Sequence, residues 1–586
     1  MHTRGRASFG SGGDRDAWRV ELADPLEVRQ AWALDEVAGL VAWVDAQAQL
    51  GRWGVLLLAY ESAPAFDAAL QARAADAAVP LAWAAIYDVA GAAGVAPTAV
   101  SAPPAPVPWE PAFSEAQFSA AIARILEHIR AGDTYQVNYT FPLQAPFPDD
   151  PWHWFRACAS QAMVPFAACV DLGDLVVMSL SPELFFDRRG DRLRARPMKG
   201  TTRRGRWLGE DRRLSNALTA SEKARAENVM IVDLLRNDIG RVAVTGSVRT
   251  SALCALERYP TVWQLTSTIE ARLRPATTLW ALLQAVFPCG SITGAPKVRT
   301  MEIIAALENS PRGIYTGAIC LLHPGGDVTA SVPIRTAVLH RGTGLATFNV
   351  GAGITADSNA GDEWAECLAK ARVVRPPAVP EDAALFETMR LEAGVLVRRE
   401  AHLQRLLDSA TLFGWQVSVA EVQRALDELT AAHAGGVWRA RVVVDRAGAI
   451  RSEAVPFVSE SRPWRVALAA APVDTRSPLL FNKTTRREIY EDARAGRAEV
   501  DDVLLWNGRG EVTEGTVANV IVEVDGVKVT PPVACGLLPG VFRKELLTRG
   551  DVQERIVRVA DLPRASRVWL VNSLREWIDV ELVDSW

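Results

Sequence analysis

The sequence predicts an α+β protein built from two units. Short apolar runs at residues 54–60 and 81–87 alternate with amphipathic segments such as residues 115–131. Between the runs at 184–187 and 192–196, the turn sequence Arg189-Gly190-Asp191 is typical of a tight hairpin and favours antiparallel pairing. With 586 residues, 49% of them apolar, the chain can bury several cores.

The remaining elements follow from the same periodicities. In the first unit a further strand is predicted at 175–180, and helices are predicted at 208–238 and 296–307. In the second unit the pattern predicts helices at 402–413 and 486–495, and strands at 438–444, 465–469, 503–506 and 517–524. The Pro-rich residues 373–382 predict an extended linker. Residues 1–15 predict a disordered tail, so the folded units are expected at 16–372 and 383–586.

Composition excludes several classes of function. The formal net charge is −5, so no positive field would hold nucleic acid or an anionic membrane. No apolar run approaches the ~20 residues of a membrane span, and the N-terminus lacks a signal-peptide core. The seven cysteines are scattered without a C-x-x-C pair, which favours core thiols in a reducing compartment. We therefore expect a soluble, cytoplasmic protein.

Two groups of residues in the first unit could carry chemistry. Glu227 lies on a predicted helix beside an apolar face, and Glu363 and Glu366 lie three residues apart on another helix. Three carboxylates from two helices could hold Mg²⁺, although the spacing is also typical of a solvated acidic face. Only seven of the 64 basic residues are lysines, which makes Lys199, predicted in a glycine-adjacent turn, a candidate nucleophile as well as an ordinary surface charge.

Two glycine-containing segments could approach an anionic ligand. Residues 290–297 are predicted to open a helix at Pro296, and a helix N-terminus attracts anions. Residues 349–354 are predicted as a second turn where glycine lets a ligand approach the backbone. Each is also compatible with a plain turn.

Taken together, the motifs of the first unit resemble the chorismate-utilising enzymes. The matching segments, in chain order, are residues 132–138 (GDTYQVN), 181–183 (SPE), 197–201 (PMKGT), 231–238 (IVDLLRND), 290–297 (GSITGAPK), Gly317, 334–335 (IR) and 351–357 (GAGITAD). The resemblance implies a chorismate-binding α/β sandwich-type domain. Lys199 is typical of the branch that makes aminodeoxychorismate, whereas anthranilate synthases carry alanine there. Gln136 stands where water-adding relatives use a lysine.

The resemblance also implies residue roles. Lys199 would attack C2 of chorismate as the C4 hydroxyl leaves, ammonia would add at C4 and expel the lysine, and Glu183 would exchange protons with the leaving hydroxyl. Glu227 and Glu366 would hold Mg²⁺, with Glu363 bonding a water of the metal. Substrate-binding positions implied by the family are Gly200, Thr201, Ser291, Tyr315, Arg335, Gly351 and Gly353. Gln264 departs from the family pattern, in which many relatives carry histidine.

The second unit resembles the fold-type IV pyridoxal phosphate (PLP) enzymes, which predicts a two-subdomain α/β unit. The segments that carry this resemblance are 386–390 (FETMR), 402–406 (HLQRL), 480–487 (LFNKTTRR), 513–519 (TEGTVAN), 538–543 (LPGVFR) and 571–574 (VNSL). Taken singly, Lys483 could be a loop charge and Glu514 a turn residue. By resemblance Lys483 would bond the cofactor and move protons, and Glu514 would hold the pyridine nitrogen protonated. The other cofactor contacts implied are Arg405, Val541, Phe542, Asn572 and Ser573.

The two resemblances together predict an enzyme of 4-aminobenzoate and folate biosynthesis. The first unit would aminate chorismate at C4, and the second would eliminate pyruvate from the product. A separate glutamine amidotransferase subunit, or free ammonium, would supply ammonia, and the PLP unit would favour a homodimer. The alternatives are an anthranilate synthase component fused to an aminotransferase, a synthase fused to an unrelated transaminase, and an inactive scaffold, although Lys199, Glu366 and Lys483 are all retained.

Overall fold

The structure is a computed structural model that describes residues 5–10, 18–88, 92–93, 107–162, 164–259, 261–371, 379–380, 382–459 and 462–583. It divides into two compact units. Unit 1 comprises residues 1–203 and 215–377, and unit 2 comprises residues 204–214 and 378–586. Within the described ranges every helix is too short or too polar to span a bilayer.

The first unit contains two antiparallel sheets. Its described strands are β1 (Ala7–Gly10), β2 (Val20–Leu22), β3 (Glu27–Ala31), β4 (Trp53–Leu58), β5 (Ala82–Tyr87), β6 (Ala92–Ala93), β7 (Glu110–Pro111), β8 (Gln136–Pro146), β9 (Phe166–Asp171), β10 (Leu175–Ser181), β11 (Leu184–Arg189), β12 (Arg192–Arg196), β13 (Met198–Arg203), β14 (Arg249–Arg258), β15 (Val262–Arg272), β16 (Gly294–Ala295), β17 (Ala318–Leu322), β18 (Val328–Ser331), β19 (Thr336–His340) and β20 (Leu345–Ile354). One sheet has the order β16-β8-β20-β19-β10-β9-β1-β2-β6, with β7 on β8. The other has the order β13-β15-β12-β11-β18-β17-β4-β5-β3, with β14 on β15.

The sheets form a sandwich because their strands alternate two apolar faces. In β4, Val55 and Leu57 join a core shared with Phe9 and Val177 of the other sheet, whereas Leu56 and Leu58 face a helical layer. The helices of this unit are α1 (Leu34–Gln49), α2 (Ala63–Phe66), α3 (Glu115–Arg130), α4 (Pro151–Ala162), α5 (Leu208–Ala220), α6 (Glu222–Gly240), α7 (Leu279–Val286), α8 (Lys297–Leu307) and α9 (Ala360–Ala371). Residues 208–214, the N-terminal half of α5, lie in the segment assigned to unit 2.

The second unit contains a four-stranded and an eight-stranded sheet. Its elements are β21 (Leu385–Glu392), β22 (Val395–Leu396), α10 (Arg399–Phe413), α11 (Val419–Ala432), β23 (Val437–Val444), β24 (Ile450–Pro456), β25 (Trp464–Leu468), α12 (Glu488–Arg494), β26 (Asp502–Trp506), β27 (Val512–Gly515), β28 (Asn519–Val524), β29 (Val527–Thr530), α13 (Val541–Arg549), β30 (Gln553–Glu554), β31 (Arg567–Asn572) and β32 (Glu576–Leu582). The four-stranded order is β22-β21-β23-β24. The larger order is β27-β26-β25-β32-β31-β28-β29-β30, and an added β27–β28 pairing closes part of it.

Four expectations about local structure are corrected. Within the predicted tail, Ala7–Gly10 is a strand paired with β9, and Ala7 and Phe9 are fully buried. The predicted helix 208–238 is two helices, because Ser221 caps α6 by accepting a hydrogen bond from the amide of Ala224. The predicted turn at 349–354 lies inside β20. Lys199 lies in strand β13 rather than in a turn.

The linker boundaries stay a prediction, since residues 372–378 and 381 lie outside the described residues. The predicted tail residues 1–4 and 11–15 lie outside them as well. The α+β class is confirmed, and the described strands of unit 1 pair antiparallel. In unit 2, β25 pairs in parallel with both β26 and β32.

Candidate active sites

In unit 1, side chains of α6 and β15 hydrogen-bond to the backbone around Lys199. Gly200 has φ of +88°, and the β13–β15 pairing shifts register across it, so the strand departs from regular pairing beside the lysine. The Asn228 side chain of α6 donates a hydrogen bond to the Lys199 carbonyl at 3.3 Å. Gln264 of β15 donates to the Gly200 carbonyl at 2.9 Å and accepts from Thr201 at 2.6 Å. Gln264 therefore fixes the strand that carries Lys199.

The Lys199 amine lies beside β8 and β20. A Cβ on Gly353 would lie 3.4 Å from Lys199 Nζ and 2.5 Å from Gln136 Nε2, so a larger residue there would displace the Gln136 amide. Gln136 is 1% exposed, and its Oε1 has no hydrogen-bond partner among the described residues. A buried orphan acceptor is costly, and a ligand that donates a hydrogen bond would satisfy it. The Gly351 carbonyl accepts from Lys370 Nζ at 2.7 Å.

Carboxylates surround the Lys199 ammonium. Burial lowers its pKa, and Glu183 and Glu227 oppose that shift. Burial raises the pKa of Glu183 to about 7, although a 2.6 Å hydrogen bond from the Ser291 hydroxyl and the charge of Lys199 both act to lower it. A carboxyl group with a pKa near 7 can give and take a proton at neutral pH. The structure thus brings together Lys199, Glu183 and Ser291.

The three predicted metal ligands shift one another's pKa values, but their side chains do not form a metal-binding cluster. Burial and the charges of Glu363 and Glu366 raise the pKa of Glu227, and burial raises that of Glu363. Glu366 is instead paired with Lys370 at 2.8 Å, which lowers its pKa. Among the described residues, no group of three or more acidic, histidine or cysteine side chains is close enough to hold a metal ion. The oxygen donors suit Mg²⁺, which would relieve the mutual repulsion of these carboxylates.

Arg335 and Tyr315 have the properties of substrate-binding groups. Arg335 has φ of +53°, and burial lowers the pKa of its guanidinium. No hydrogen bond or ion pair joins that guanidinium to a described residue. Tyr315 is 5% exposed, and burial raises its pKa, to which the charge of Glu183 adds. These groups are available to a carboxylate-bearing ligand.

In unit 2, six of the seven predicted cofactor-binding residues meet in a cavity of about 320 Å³, whereas Phe542 is not among its lining residues. Lys483, Glu514, Arg405, Val541, Asn572 and Ser573 all line it. Lys483 Nζ lies 4.6 Å from the ring centroid of Phe386. Burial and the charge of Arg405 lower the pKa of Lys483 to about 8. A lysine with this pKa is neutral in a useful fraction at physiological pH.

Glu514 lies at the end of β27 and is 3% exposed. It accepts hydrogen bonds from the hydroxyl of Tyr490 at 3.0 Å, the side chain of Asn519 at 3.0 Å and the amide of Leu538 at 3.1 Å. Burial raises its pKa to about 8 despite these donors. A carboxyl group held this rigidly could exchange a proton with a heterocyclic nitrogen.

Arg405 forms an ion pair with Glu387, a residue that the sequence analysis did not single out. It donates to both oxygens of Glu387, at 2.8 and 2.6 Å, and His402 Nδ1 lies 2.7 Å from the same carboxylate. Burial would raise the pKa of Glu387, but Arg405 and His402 outweigh it and bring the pKa to about 2. His402 Nε2 is 2.7 Å from the Ser573 hydroxyl, so Ser573 is oriented by this network.

The phosphate contacts predicted for α13 have a suitable local structure. Gly540 precedes α13, whose first residues Val541 and Phe542 present amides at a helix N-terminus. A Cβ on Gly540 would lie 1.9 Å from Asn519 Oδ1, so this approach requires glycine. Asn572 Oδ1 accepts from the amides of Leu574 and Arg575, which forms a turn at the cavity wall.

The cavity is strongly basic. Besides Arg405, its lining includes Arg439, Arg441, Arg487 and Arg575. Sequence reasoning singled out none of these four, although Arg487 lies in the segment quoted around Lys483. The alternation of β23 puts Arg439 and Arg441 on one face, which could have indicated a shared role. This set suits a phosphate together with an anionic substrate.

Comparison with known proteins defines the class of each unit. A family model described as chorismate binding enzyme matches residues 18–376, and one described as amino-transferase class IV matches residues 384–583. The chain belongs to the chorismate binding enzyme family and carries a class IV aminotransferase domain after it. Both resemblances drawn from the sequence motifs are thereby confirmed.

Curated relatives match somewhat less than half of this chain. An aminodeoxychorismate synthase of Streptomyces griseus is 46% identical over 42% of this chain and 34% of its own length. Aminodeoxychorismate synthase component 1 of Salmonella typhimurium is 40% identical over 46% of this chain and 59% of its own. Anthranilate synthase component 1 of Aquifex aeolicus is 38% identical, over 45% and 53%. The chain thus spans between about a third and three fifths of the length of these relatives.

Two solved structures were compared with this chain. Anthranilate synthase component I from Streptococcus pneumoniae has a TM-score of 0.53 and 23% identity, covering 63% of this chain and 92% of its own, which shows a common fold. 4-Amino-4-deoxychorismate lyase from Pseudomonas aeruginosa has a TM-score of 0.32 and 25% identity, covering 34% of this chain and 83% of its own.

Proposed function

We propose that this chain converts chorismate to 4-aminobenzoate in two steps, and so serves folate biosynthesis. The first unit would exchange the C4 hydroxyl of chorismate for an amino group, with ammonia consumed and water released. The second unit would split the product into 4-aminobenzoate and pyruvate. The observation that carries the proposal is the pair of buried lysines with lowered pKa values, each beside a carboxyl group able to exchange a proton near pH 7–8.

In the first step, Lys199 would act as a nucleophile. Its neutral amine adds to C2 of chorismate while the bond from C4 to oxygen breaks, and Glu183 protonates the departing oxygen to give water. Ammonia then adds at C4, the Lys199–C2 bond breaks, and Glu183 takes up a proton. A buried carboxyl group with a pKa of about 7 suits both transfers. Lys199 rather than alanine favours this product over 2-aminobenzoate.

Binding the dianionic substrate would need positive charge. We propose that Glu227 and Glu366 hold Mg²⁺, with Glu363 bonding one of its waters, and that the ion neutralises one carboxylate of chorismate. Arg335, Tyr315 and the backbone of Gly351 and Gly353 would bind the other carboxylate. The remaining implied contacts, Gly200, Thr201 and Ser291, lie on β13 or hydrogen-bond to Glu183.

In the second step, pyridoxal phosphate would supply an electron sink once bound to Lys483. Glu514 would hold the ring nitrogen in its protonated form, because its carboxylate, oriented by three hydrogen-bond donors, would stabilise a positive charge on that nitrogen. The α13 amides of Val541 and Phe542, with Arg405 and the turn at Asn572–Ser573, would bind the phosphate. The other cavity arginines would hold the substrate carboxylates, and Lys483 would move the proton that the elimination requires.

We further propose that ammonia reaches the first unit from a glutamine amidotransferase partner. Six of the seven cysteines are buried, and burial raises the pKa of the thiols of Cys289 and Cys320 to about 12, so they are poor nucleophiles for glutamine hydrolysis. The protein is expected to act in the cytoplasm and to form a homodimer through the PLP unit.

The test is to supply purified protein with aminodeoxychorismate and PLP and to measure pyruvate and 4-aminobenzoate without any added keto acid. Equimolar release of both supports the lyase step. A requirement for a keto acid would instead identify the second unit as a transaminase. A parallel assay with chorismate, Mg²⁺ and ammonium distinguishes 4-aminobenzoate from 2-aminobenzoate, and the latter would identify an anthranilate synthase fused to an aminotransferase.

A further inference from the structure

A short segment from the first family's part of the chain belongs to the PLP unit. Residues 204–214 follow directly after β13, the strand of Lys199, and lie within the region that the chorismate family model matches. In the structure they are assigned to unit 2 together with residues 378–586. The second unit is therefore assembled from two separate stretches of sequence.

An ion pair joins the two ends of residues 204–211, and a hydrogen bond joins this segment to α10. The Arg204 guanidinium donates two hydrogen bonds of 2.8 Å to Asp211 and one of 3.1 Å to the carbonyl of Leu412. The Gly205 amide donates to Asp211 at 2.7 Å, and a Cβ on Gly205 would lie 2.1 Å from the Asp211 nitrogen. Since Asp211 is 3% exposed, this ion pair is shielded from water.

Arg206 anchors the middle of the segment. Its guanidinium donates to both carboxylate oxygens of Glu210, at 3.0 and 2.9 Å, and to the carbonyl of Thr475 at 3.1 Å. The same group lies 4.7 Å from the ring centroid of Phe481. These contacts leave the Arg206 backbone carbonyl in one position.

The Arg206 carbonyl and the Trp207 side chain contact the loop that precedes Lys483. Asn482, which is 4% exposed, donates to the Arg206 carbonyl at 2.8 Å. The Trp207 ring stacks on Phe481, with centroids 5.0 Å apart and an interplanar angle of 21°. Trp207 also packs against the apolar cluster that contains Tyr490, the donor to Glu514.

The other side of Lys483 is held by β21. The Phe386 amide donates to the Lys483 carbonyl at 3.0 Å, and the Lys483 amine lies over the Phe386 ring. The residues before the lysine are thus fixed by residues 204–214, and the lysine itself by the smaller sheet. Removing one support would widen the range of positions open to the amine.

We propose that Arg206 and Trp207 are positioning residues for Lys483, so that cofactor binding by the second unit depends on residues 204–214. The inference rests on the proposed attachment of PLP to Lys483. Neither residue touches the cavity, since neither is among its lining residues. They act through Asn482 and Phe481.

The test uses the full chain with Trp207→Ala, Asn482→Ala and Trp207→Phe. PLP is titrated into each apoprotein, and the dissociation constant is read from the visible absorbance of the lysine-bound cofactor. The pH midpoint of that absorbance is recorded as well. We expect about tenfold weaker binding and a shifted midpoint in both alanine variants, because each loses a buried contact of the Lys483 loop. Trp207→Phe, which keeps the stack, should restore both values.

Arg213→Ala is the matched control, because Arg213 is an exposed residue of the same segment. It should bind PLP as the wild type does. Alanine variants with the wild-type dissociation constant and the wild-type pH midpoint of absorbance would overturn the inference. Variants whose apoproteins melt at a lower temperature but whose pH midpoint is unchanged would also overturn it. If Trp207→Ala does not fold, Asn482→Ala decides alone. A wild-type chain that gives no cofactor absorbance would overturn the proposed function, a result distinct from unchanged variants.

Discussion

The two lysines share burial but differ in the charges around them. Lys199 lies among carboxylates, and Glu183 and Glu227 oppose the effect of burial on its pKa. At Lys483, Arg405 and Arg487 add to the effect of burial while Glu387 and Glu514 oppose it, and the pKa is about 8. Burial alone therefore does not define a reactive lysine, and the neighbouring charges set how much neutral amine each one has.

The difference fits the proposed roles. Around Lys199, carboxyl groups provide proton transfer and would bind a cation. The cation would in turn offset the negative charge of a dianionic substrate. Around Lys483, guanidinium groups provide anion binding for a phosphate and carboxylates. The second site thus has the charge opposite to that of its proposed anionic ligands, whereas the carboxylates of the first site are opposite in charge to Mg²⁺ alone.

Replacing each lysine in turn should abolish one of the two reactions and leave the other intact. Lys199→Arg and Lys483→Arg each keep a positive charge but remove the deprotonatable amine. Lys199→Arg should lower amination of chorismate by at least about 10³-fold while leaving pyruvate release from supplied aminodeoxychorismate intact. Lys483→Arg should do the reverse. A variant that impairs both reactions equally would contradict the assignment of one lysine to each step.

The next prediction concerns the proton donor. Glu183→Gln keeps the shape of the side chain but removes its proton transfer, so the amination rate should fall about 10²–10⁴-fold. In the wild type, the rate should decline as pH rises through about 7, where the Glu183 carboxyl loses its proton. The variant should lack this decline in its pH profile. Glu222→Gln, at an exposed position of α6, is the control and should retain the wild-type profile.

A stability effect is expected at Glu387. Its pKa of about 2 lies below the unfolded value of 4.5, so its contribution to stability is present above pH 4.5 and is lost as pH falls toward 2. Glu387→Gln leaves Arg405 without its buried carboxylate, which should cost about 3–5 kcal/mol. Hydrogen exchange of α10 and β21 measures the loss locally. The control is Glu400→Gln, which changes an exposed carboxylate on the same helix and should leave exchange unchanged.

The smallest effect expected is that of Mg²⁺ on the free protein. Because the pKa values of Glu227 and Glu363 are raised, these two groups take stability from the metal-free first unit as pH rises above 4.5. Mg²⁺ should restore it, by about 2.7 kcal/mol at about 100 times Kd, and more strongly at pH 8 than at pH 5. Calorimetric melting curves with and without the ion measure this.

Glu227→Gln provides the complementary measurement. It should raise the melting temperature of the metal-free protein, because it removes a carboxylate repelled by its neighbours, and it should remove the response to Mg²⁺. An undiminished response in this variant would show that the ion binds elsewhere.

Local sequence patterns predicted much of the fold. Strands at 82–87, 175–181 and 192–196 and the helix at 115–130 lie within a residue or two of their predicted bounds, because each carries its own periodicity. The break at Ser221 was missed because α5 and α6 continue one helical pattern, and only the cap divides them. The strand Ala7–Gly10 was missed because its burial comes from distant β9.

The motif residues were predictable, but their partners were not. Lys483 and Glu514 could be singled out because their spacing matches a family pattern, and both line one cavity. Glu387 lies in a quoted motif, yet only the folded chain brings it to Arg405 and His402. The contact of Trp207 with Phe481 joins residues far apart in sequence, and no local signal marks it.

Peptide mass mapping of the trapped protein shows which lysine reacts in each of the two steps. One sample is incubated with PLP and reduced with borohydride, and another is incubated with chorismate and Mg²⁺ in the absence of ammonia. We expect the reduced cofactor on Lys483, and on Lys199 a chorismate-derived mass that has lost water. Modification spread over exposed lysines such as Lys223 and Lys544, with positions 199 and 483 unmodified, would contradict this expectation.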